Sequence, residues 1–283
     1  MVRGSTSRLW PHLHIGRAKK LSMFNVGPST SRREHLAVLA ALLCSSTWTR
    51  GASGFGQSGI FRVRRLKLSK QRLDTGRNSA ASRWAWELVR RTSASARLEG
   101  CTIAAQSNQL FDEPFAVWSG TEDPGNLSFE EHQAIDRFLK LGGLLLVDDS
   151  NPAAGTFGRA ARRELARLVP DSPIQPLGPQ HVIFKSFYML DRPVGRVVGS
   201  GRMEAILRGR LAQVLFLDCD LLGALATLPE GGWTYQLEGS NSEHRERAIR
   251  FAINIAMYLL CSDYKDDQVH AAWIMRHRLP PRK

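Results

Sequence analysis

Cysteine is scarce in this chain and never paired: Cys44, Cys101, Cys219 and Cys261 lie far apart among apolar neighbours, with no CxxC spacing. That pattern excludes a zinc ribbon and a disulfide framework. Long apolar runs are missing too. The run from Leu36 to Leu43 falls far short of the roughly 20 residues a bilayer-spanning helix needs, so no stable membrane span is expected. No internal repeat and no low-complexity tract is present. Nor is there a basic stretch interleaved with aromatic residues, as a nucleic-acid platform would need. The net charge of +13 is misleading in this respect, because residues 1–54 hold eight Lys/Arg and one Asp/Glu. That segment alone accounts for +7 and leaves +6 spread over the rest. Nucleic acid is therefore not an expected partner.

What is present begins with an address. Ser31-Arg32-Arg33-Glu34-His35-Leu36 matches the Ser/Thr-Arg-Arg-x-x-Leu pattern of a twin-arginine signal. Leu36 to Leu43 supply a short apolar region, and Arg50-Gly51-Ala52-Ser53-Gly54 offers small residues for cleavage. The run is apolar on every side, unlike the single stripe of an amphipathic helix. Residues 1–54 are accordingly expected to be a leader, with Arg32 and Arg33 as its signal residues, directing the protein to the periplasm or out of the cell. Residues 1–22 precede the motif with unrelated basic sequence, whereas a start at Met23 leaves a compact basic region. Cys44 follows Leu43, where lipobox cysteines follow Gly, Ala or Ser, so a lipid anchor is not expected. The twin-arginine route carries folded proteins, which suits a domain that needs no disulfide.

The remainder divides into one domain over 55–275 and a basic tail over 276–283. Ile60 to Leu68 reads as a strand, and Ser79 to Thr92 as a helix with Trp84, Leu88 and Val89 inward. Cys101 to Gln106 and Phe115 to Ser119 read as short buried strands. Ser128-Phe129-Glu130-Glu131 is a capping box, Ile135, Phe138 and Leu139 form a stripe, and Gly142-Gly143 stop the helix before Leu144 to Val147. That continuous apolar run predicts a strand covered on both faces, the mark of a parallel sheet. A further helix is expected over Arg159 to Val169, a short strand over Val182 to Phe184, and a hairpin through Arg208-Gly209-Arg210. The last helix is expected from Ser242 to Leu260, with Ile249, Ile253, Met257 and Leu260 inward. The predicted fold is a three-layer α/β/α sandwich with a mainly parallel sheet, of the flavodoxin-like kind.

In such sheets ligands bind beyond the carboxyl ends of the strands. The residues there are acidic: Asp148, Asp149 and Ser150 after one run, Asp218, Cys219 and Asp220 after another. Strand-end aspartates can coordinate a divalent cation or act as acid and base, and they also cap helices and loops. Asp148, Asp149 and His181 are the catalytic candidates. Asp148, Asp149, Ser150, His181 and Asp220 are the ligand-binding candidates. No cofactor is demanded, and a divalent cation is the one that would fit. If the carboxylates converge, their repulsion should raise one pKa or recruit that cation.

Three segments carry a resemblance: Trp84-Ala85-Trp86-Glu87-Leu88 with Arg90-Arg91-Thr92-Ser93, Gly142-Gly143-Leu144-Leu145-Leu146-Val147-Asp148-Asp149, and His181-Val182-Ile183-Phe184-Lys185-Ser186-Phe187-Tyr188. Together with the ending Asp263-Tyr264-Lys265-Asp266-Asp267-Gln268-Val269-His270, they resemble the bacterial family known as domain of unknown function 4159. The resemblance covers about residues 55 to 275. It implies a fold like that of class I glutamine amidotransferases, export from the cytoplasm, and work in envelope assembly beside von Willebrand factor A proteins and AAA-type ATPases.

The implied fold invites a test of the implied chemistry. A glutaminase needs a Gly-x-Cys-x-Gly elbow after the strand that follows the Gly-Gly turn. This chain has Val147-Asp148-Asp149-Ser150-Asn151 there, which argues against thiol amidotransferase activity. Where the family tends to show Ser-x-Asn-Asp-Leu-Leu, this chain has Leu217-Asp218-Cys219-Asp220-Leu221-Leu222, so only Asp220 carries over. Two readings remain. One is an exported, non-catalytic domain that binds a ligand or a partner. The other is an envelope hydrolase using the strand-end aspartates with His181, with or without a divalent metal.

Overall fold

The computed structural model describes residues 60–239 and 242–276. The expected leader over 1–54, with Arg32 and Arg33, lies outside them, as does the tail from residue 277. Seven strands form one sheet: β1 (Arg64–Lys67), β2 (Cys101–Ala104), β3 (Phe115–Gly120), β4 (Leu144–Asp149), β5 (Ile174–Leu177), β6 (Met203–Arg208) and β7 (Leu211–Leu217). Their spatial order is β2-β1-β3-β4-β7-β6-β5. The first five in that order run parallel, β6 pairs antiparallel with its hairpin partner β7, and β5 pairs antiparallel with β6 at the edge. The helices are α1 (Ser79–Arg91), α2 (Phe129–Lys140), α3 (Thr156–Leu168), α4 (Leu221–Leu225) and α5 (Ser242–Arg276).

The alternation of side chains along each strand assigns the helices to layers. Phe115, Val117, Leu144, Leu146, Leu215 and Leu217 point to one face, which α1, α4 and α5 cover with Trp84, Leu88, Leu222, Phe251 and Ile253. Ala116, Trp118, Leu145, Val147, Val214 and Phe216 point to the other, covered by α2 and α3 with Ile135, Phe138, Phe157 and Leu165. The three-layer sandwich therefore stands as expected, with the central strands buried on both sides. Trp84 donates its indole N–H to Ala252 O at 2.9 Å and so ties α1 to α5 across their shared face. The capping box that opens α2 is fully made: Ser128 accepts from Glu131 N at 3.2 Å, and Glu131 accepts from Ser128 N at 2.9 Å.

Several local expectations change. Val89 is 43 % exposed, because five residues on from Trp84 is about 140° around a helix, off the stripe that Ala81, Trp84, Ala85 and Leu88 define. Residues 101–104 form an edge strand, and Ile103 is its one buried residue. Val182–Lys185 is a turn of 3₁₀ helix and not a strand. Ile183 and Phe184 are adjacent and both buried, with Phe184 stacked on Phe251 of α5. A strand would send two neighbours to opposite faces, whereas a helical turn lets both meet α5. The last helix runs past Leu260 to Arg276, as nothing between Cys261 and Arg276 is Gly or Pro. β5 and α4 had no expected counterpart: β5 is four residues with a central proline, and α4 is five.

Candidate functional site

The strand order places the carboxyl ends of β1, β3, β4 and β7 along one edge, and the acidic residues emerge there. Because side chains alternate, Asp148 and Asp149 part company at once. Asp148 turns with Leu144 and Leu146 toward α4, while Asp149 turns with Leu145 and Val147 toward α3.

Asp148 is fully buried and accepts from Leu221 N and Leu222 N, both at 2.8 Å, at the opening of α4. Burial, reinforced by the neighbouring Asp220 carboxylate, pushes its pKa up to about 7, against the pull of the two backbone N–H donors. Asp149 accepts from Asn151 N at 3.0 Å and Gly158 N at 3.1 Å, capping the loop and the first turn of α3. Its pKa is raised as well, chiefly by burial. A Cβ on Gly158 would lie 2.6 Å from the Asp149 carboxylate, so glycine is required for this contact.

Asp220 is the centre of a second network. It adopts a left-handed conformation with φ 51°, rare for a residue with a side chain, and accepts from Gly223 N at 3.0 Å. Arg77 grips it bidentately, Nε to Oδ1 at 2.9 Å and Nη2 to Oδ2 at 2.7 Å. Arg196 Nε donates to Oδ2 from the opposite side. Arg77 also pairs with Asp74, whose carboxylate accepts from the Tyr235 hydroxyl at 2.8 Å, and its guanidinium lies 4.4 Å over the Tyr235 ring. One aspartate thus fastens the loop before α1, the segment around residue 196 and the segment around residue 235.

The network missed by sequence reasoning is cationic. Arg65, Arg77 and Arg196 were not singled out. A signal existed for the first: Arg64 and Arg65 are consecutive in a strand with covered faces on both sides, so both had to be buried. For Arg77 and Arg196 no local pattern announces that they will meet Asp220, which lies 143 and 24 residues away in sequence.

His181 is not brought to this edge. Its Nδ1 accepts from Ile183 N at 3.3 Å, and its ring lies 5.7 Å from that of Tyr258. The Tyr258 hydroxyl accepts from Ala212 N at 2.8 Å, at the start of β7. The aspartates lie past the end of that strand. Along α5, Arg245 at the aspartate end donates to Ala224 O, and Tyr258 comes 13 residues later, about 20 Å along the axis at 1.5 Å per residue. Burial lowers the His181 pKa, as expected for an imidazole seated in packing.

Ser150 is buried, donates its N–H to Gly120 O at 2.9 Å, and lines a cavity of 180 Å³ beyond β1 and β3. Asp218 sits on the far side, with Oδ2 accepting from Ser200 N at 2.8 Å and Oδ1 buried without a hydrogen-bond partner. It lines a cleft of 690 Å³ together with Asn151, Arg196, Gly199 and Glu238. Gly199 has φ 56°, and a Cβ there would come 2.1 Å from Asp218 O, so the wall of the cleft depends on this glycine. Cys219 is 1 % exposed, and its thiol pKa is pushed well up, by burial and then by the surrounding aspartates, so it is no thiolate nucleophile.

The fit to a divalent cation is poor. Asp148, Asp149 and Asp220 each accept on both oxygens from the protein itself, and among the described residues no three His, Cys, Asp or Glu side chains gather as a metal ion requires. No helix among the described residues is long and apolar enough to cross a membrane. No curated protein matches the chain. A family profile does match, over residues 62–260, and the chain accordingly belongs to the family described as Domain of unknown function (DUF4159).

Proposed function

We propose that this chain is an exported, non-catalytic binding domain whose ligand or partner occupies the cleft beyond β4 and β7. The observation that carries this reading is the engagement of Asp148, Asp149 and Asp220 by backbone N–H groups and arginines on both carboxylate oxygens. A carboxylate so held is a cap or a clamp, with no free oxygen to serve as a general base. His181 lies at the other end of the sheet, so the pairing a hydrolase would need is not assembled. The cleft of 690 Å³ falls within the roughly 300–1,000 Å³ usual for small-ligand sites, and Asn151, Arg196, Asp218 and Glu238 give it a polar lining. The likeness to class I glutamine amidotransferases, with the nucleophile elbow replaced by Val147-Asp148-Asp149-Ser150-Asn151, belongs to the same proposal. So does an envelope role beside von Willebrand factor A and AAA-type ATPase proteins.

The test incubates the purified chain with envelope glycans and peptides, with and without Mg²⁺ or Zn²⁺, and with partner proteins from the same envelope under cross-linking. We expect no turnover, and a cross-link that Asp218→Asn or Gly199→Val weakens. Hydrolysis by the wild type that disappears in a folded Asp149→Asn variant would replace this reading with the hydrolase.

A further inference from the structure

The 180 Å³ cavity beyond β1, β3 and β4 lies where the chain's connections diverge. From β1 the chain passes through α1 to β2 on one side, and from β3 through α2 to β4 on the other, with α1 and α2 on opposite faces of the sheet. No loop crosses such a point, so a crevice is left between the two strand ends. Arg65 projects there from β1. It is 3 % exposed and forms no ion pair among the described residues. Its Nη1 donates to Asp74 O at 2.9 Å and Asn78 Oδ1 at 2.6 Å, both neutral acceptors, and its Nε is buried with no acceptor at all. The other guanidinium in this network with comparable burial, Arg77, holds two carboxylates.

A guanidinium taken out of water without a counter-charge is destabilising. An apolar residue would fill a central strand at no such cost. Burial weakens the hold of Arg65 on its proton, and the nearby Asp74 and Asp148 offset this only in part. Around the same cavity stand Arg72, which is exposed, and Ser119 and Ser150, which are buried; the acids that line it are Asp74, already paired with Arg77, and the exposed Glu122.

We propose that this crevice is an oxyanion site, taking the phosphate or carboxylate group of a small ligand as the missing counter-charge of Arg65. The planar guanidinium of Arg65, whose bonded acceptors are neutral, suits recognition of such a group, and the exposed Arg72 on the same lining adds a second positive charge. The cavity has room for one such group with its water and not for a large ligand. This site stands apart from the cleft beyond β4 and β7, and neither assignment depends on the other.

The test is titration calorimetry and thermal melting of the full chain in an amine buffer, with inorganic phosphate, sulfate and acetate added against chloride at equal ionic strength. Saturable binding with a rise in melting temperature is expected for at least one oxyanion, and preference between phosphate and acetate tells which group the natural ligand carries. Arg72→Ala, on an exposed side chain, should weaken that binding several-fold with the apo melting temperature unchanged. Arg65→Lys should weaken it at least tenfold, and Arg97→Ala, at a distant surface, should leave it intact. No saturable response to any of the three oxyanions would overturn the proposal. So would a response that Arg72→Ala and Arg65→Lys both leave unaltered, which would mark an adventitious ion elsewhere. Either failure would leave the cross-linking result at Asp218 untouched.

Discussion

Asp148 and Asp149 are neighbours in sequence with opposite surroundings, and the difference is measurable. Asp148 is buried and its pKa raised to about 7, so the folded state holds a proton that the unfolded chain releases near pH 4. A raised carboxyl pKa means that stability is greatest at low pH and is lost as pH rises from about 4 through 7, because the charge must then be buried. Asp148→Asn cannot ionise. Its stability relative to wild type should therefore improve between pH 4.5 and pH 8, measured by urea denaturation at each pH. At the acid end it should trail wild type by about 1–3 kcal/mol, because an amide nitrogen faces one of the Leu221 and Leu222 N–H donors. A gap that narrows toward acid instead would show that the two N–H donors outweigh burial. Asp149→Asn loses one of two capping bonds on the other face, a cost of about 1 kcal/mol.

At the scale of the element, the last helix is the sharpest test of patterning. Ile253 is fully buried among Trp84, Leu222 and Phe251, and Arg250 lies on the outer side with a half-exposed side chain paired to Glu246. Ile253→Ala should destabilise by about 2–5 kcal/mol and Arg250→Ala by about 0.5 kcal/mol or less, read as shifts in denaturant midpoint. Equal midpoints would mean that α5 turns a different face inward. The same helix shows the limit of patterning, because its apolar stripe predicts which residues are buried but not where the backbone stops. Val182–Lys185 teaches the converse. A short apolar run fits a strand or a helical turn equally well, and only the demand that Ile183 and Phe184 both meet α5 chose between them.

For the whole molecule, the charge is uneven: +7 of the +13 resides in residues 1–54, the segment proposed as an export leader. Replacing Arg32 and Arg33 with Lys should leave the precursor unprocessed in the cytoplasm, followed by fractionation and the size of the product. Unaltered delivery to the periplasm would mean a general secretory signal or none. Among the described residues, β1 begins at Arg64 and both apolar faces of the sheet are covered by helices that follow it.

Period and punctuation in the sequence were enough to determine the layers. The apolar run Leu144 to Val147, the capping box at Ser128 and Glu131, and the hairpin at Gly209 are local signals, and each depends on residues a few positions apart. They also placed the acidic residues at the ends of β4 and β7, where Asp148, Asp149, Asp218 and Asp220 are found. What the tertiary structure alone decided is what those residues face. Asp220 became a clamp because Arg77 and Arg196 arrive from distant parts of the chain, and His181 was removed from the group because the turn it caps docks beside Tyr258, near the middle of α5 and level with the start of β7. Arg65 forms no ion pair among the described residues because Asp74, the acid beside it in the crevice, is held by Arg77 and Tyr235. Helix caps, turn chemistry and apolar periodicity act over a few residues, whereas the partner of a buried charge is chosen by which strands the sheet sets side by side, and that choice is made only once the whole chain has packed.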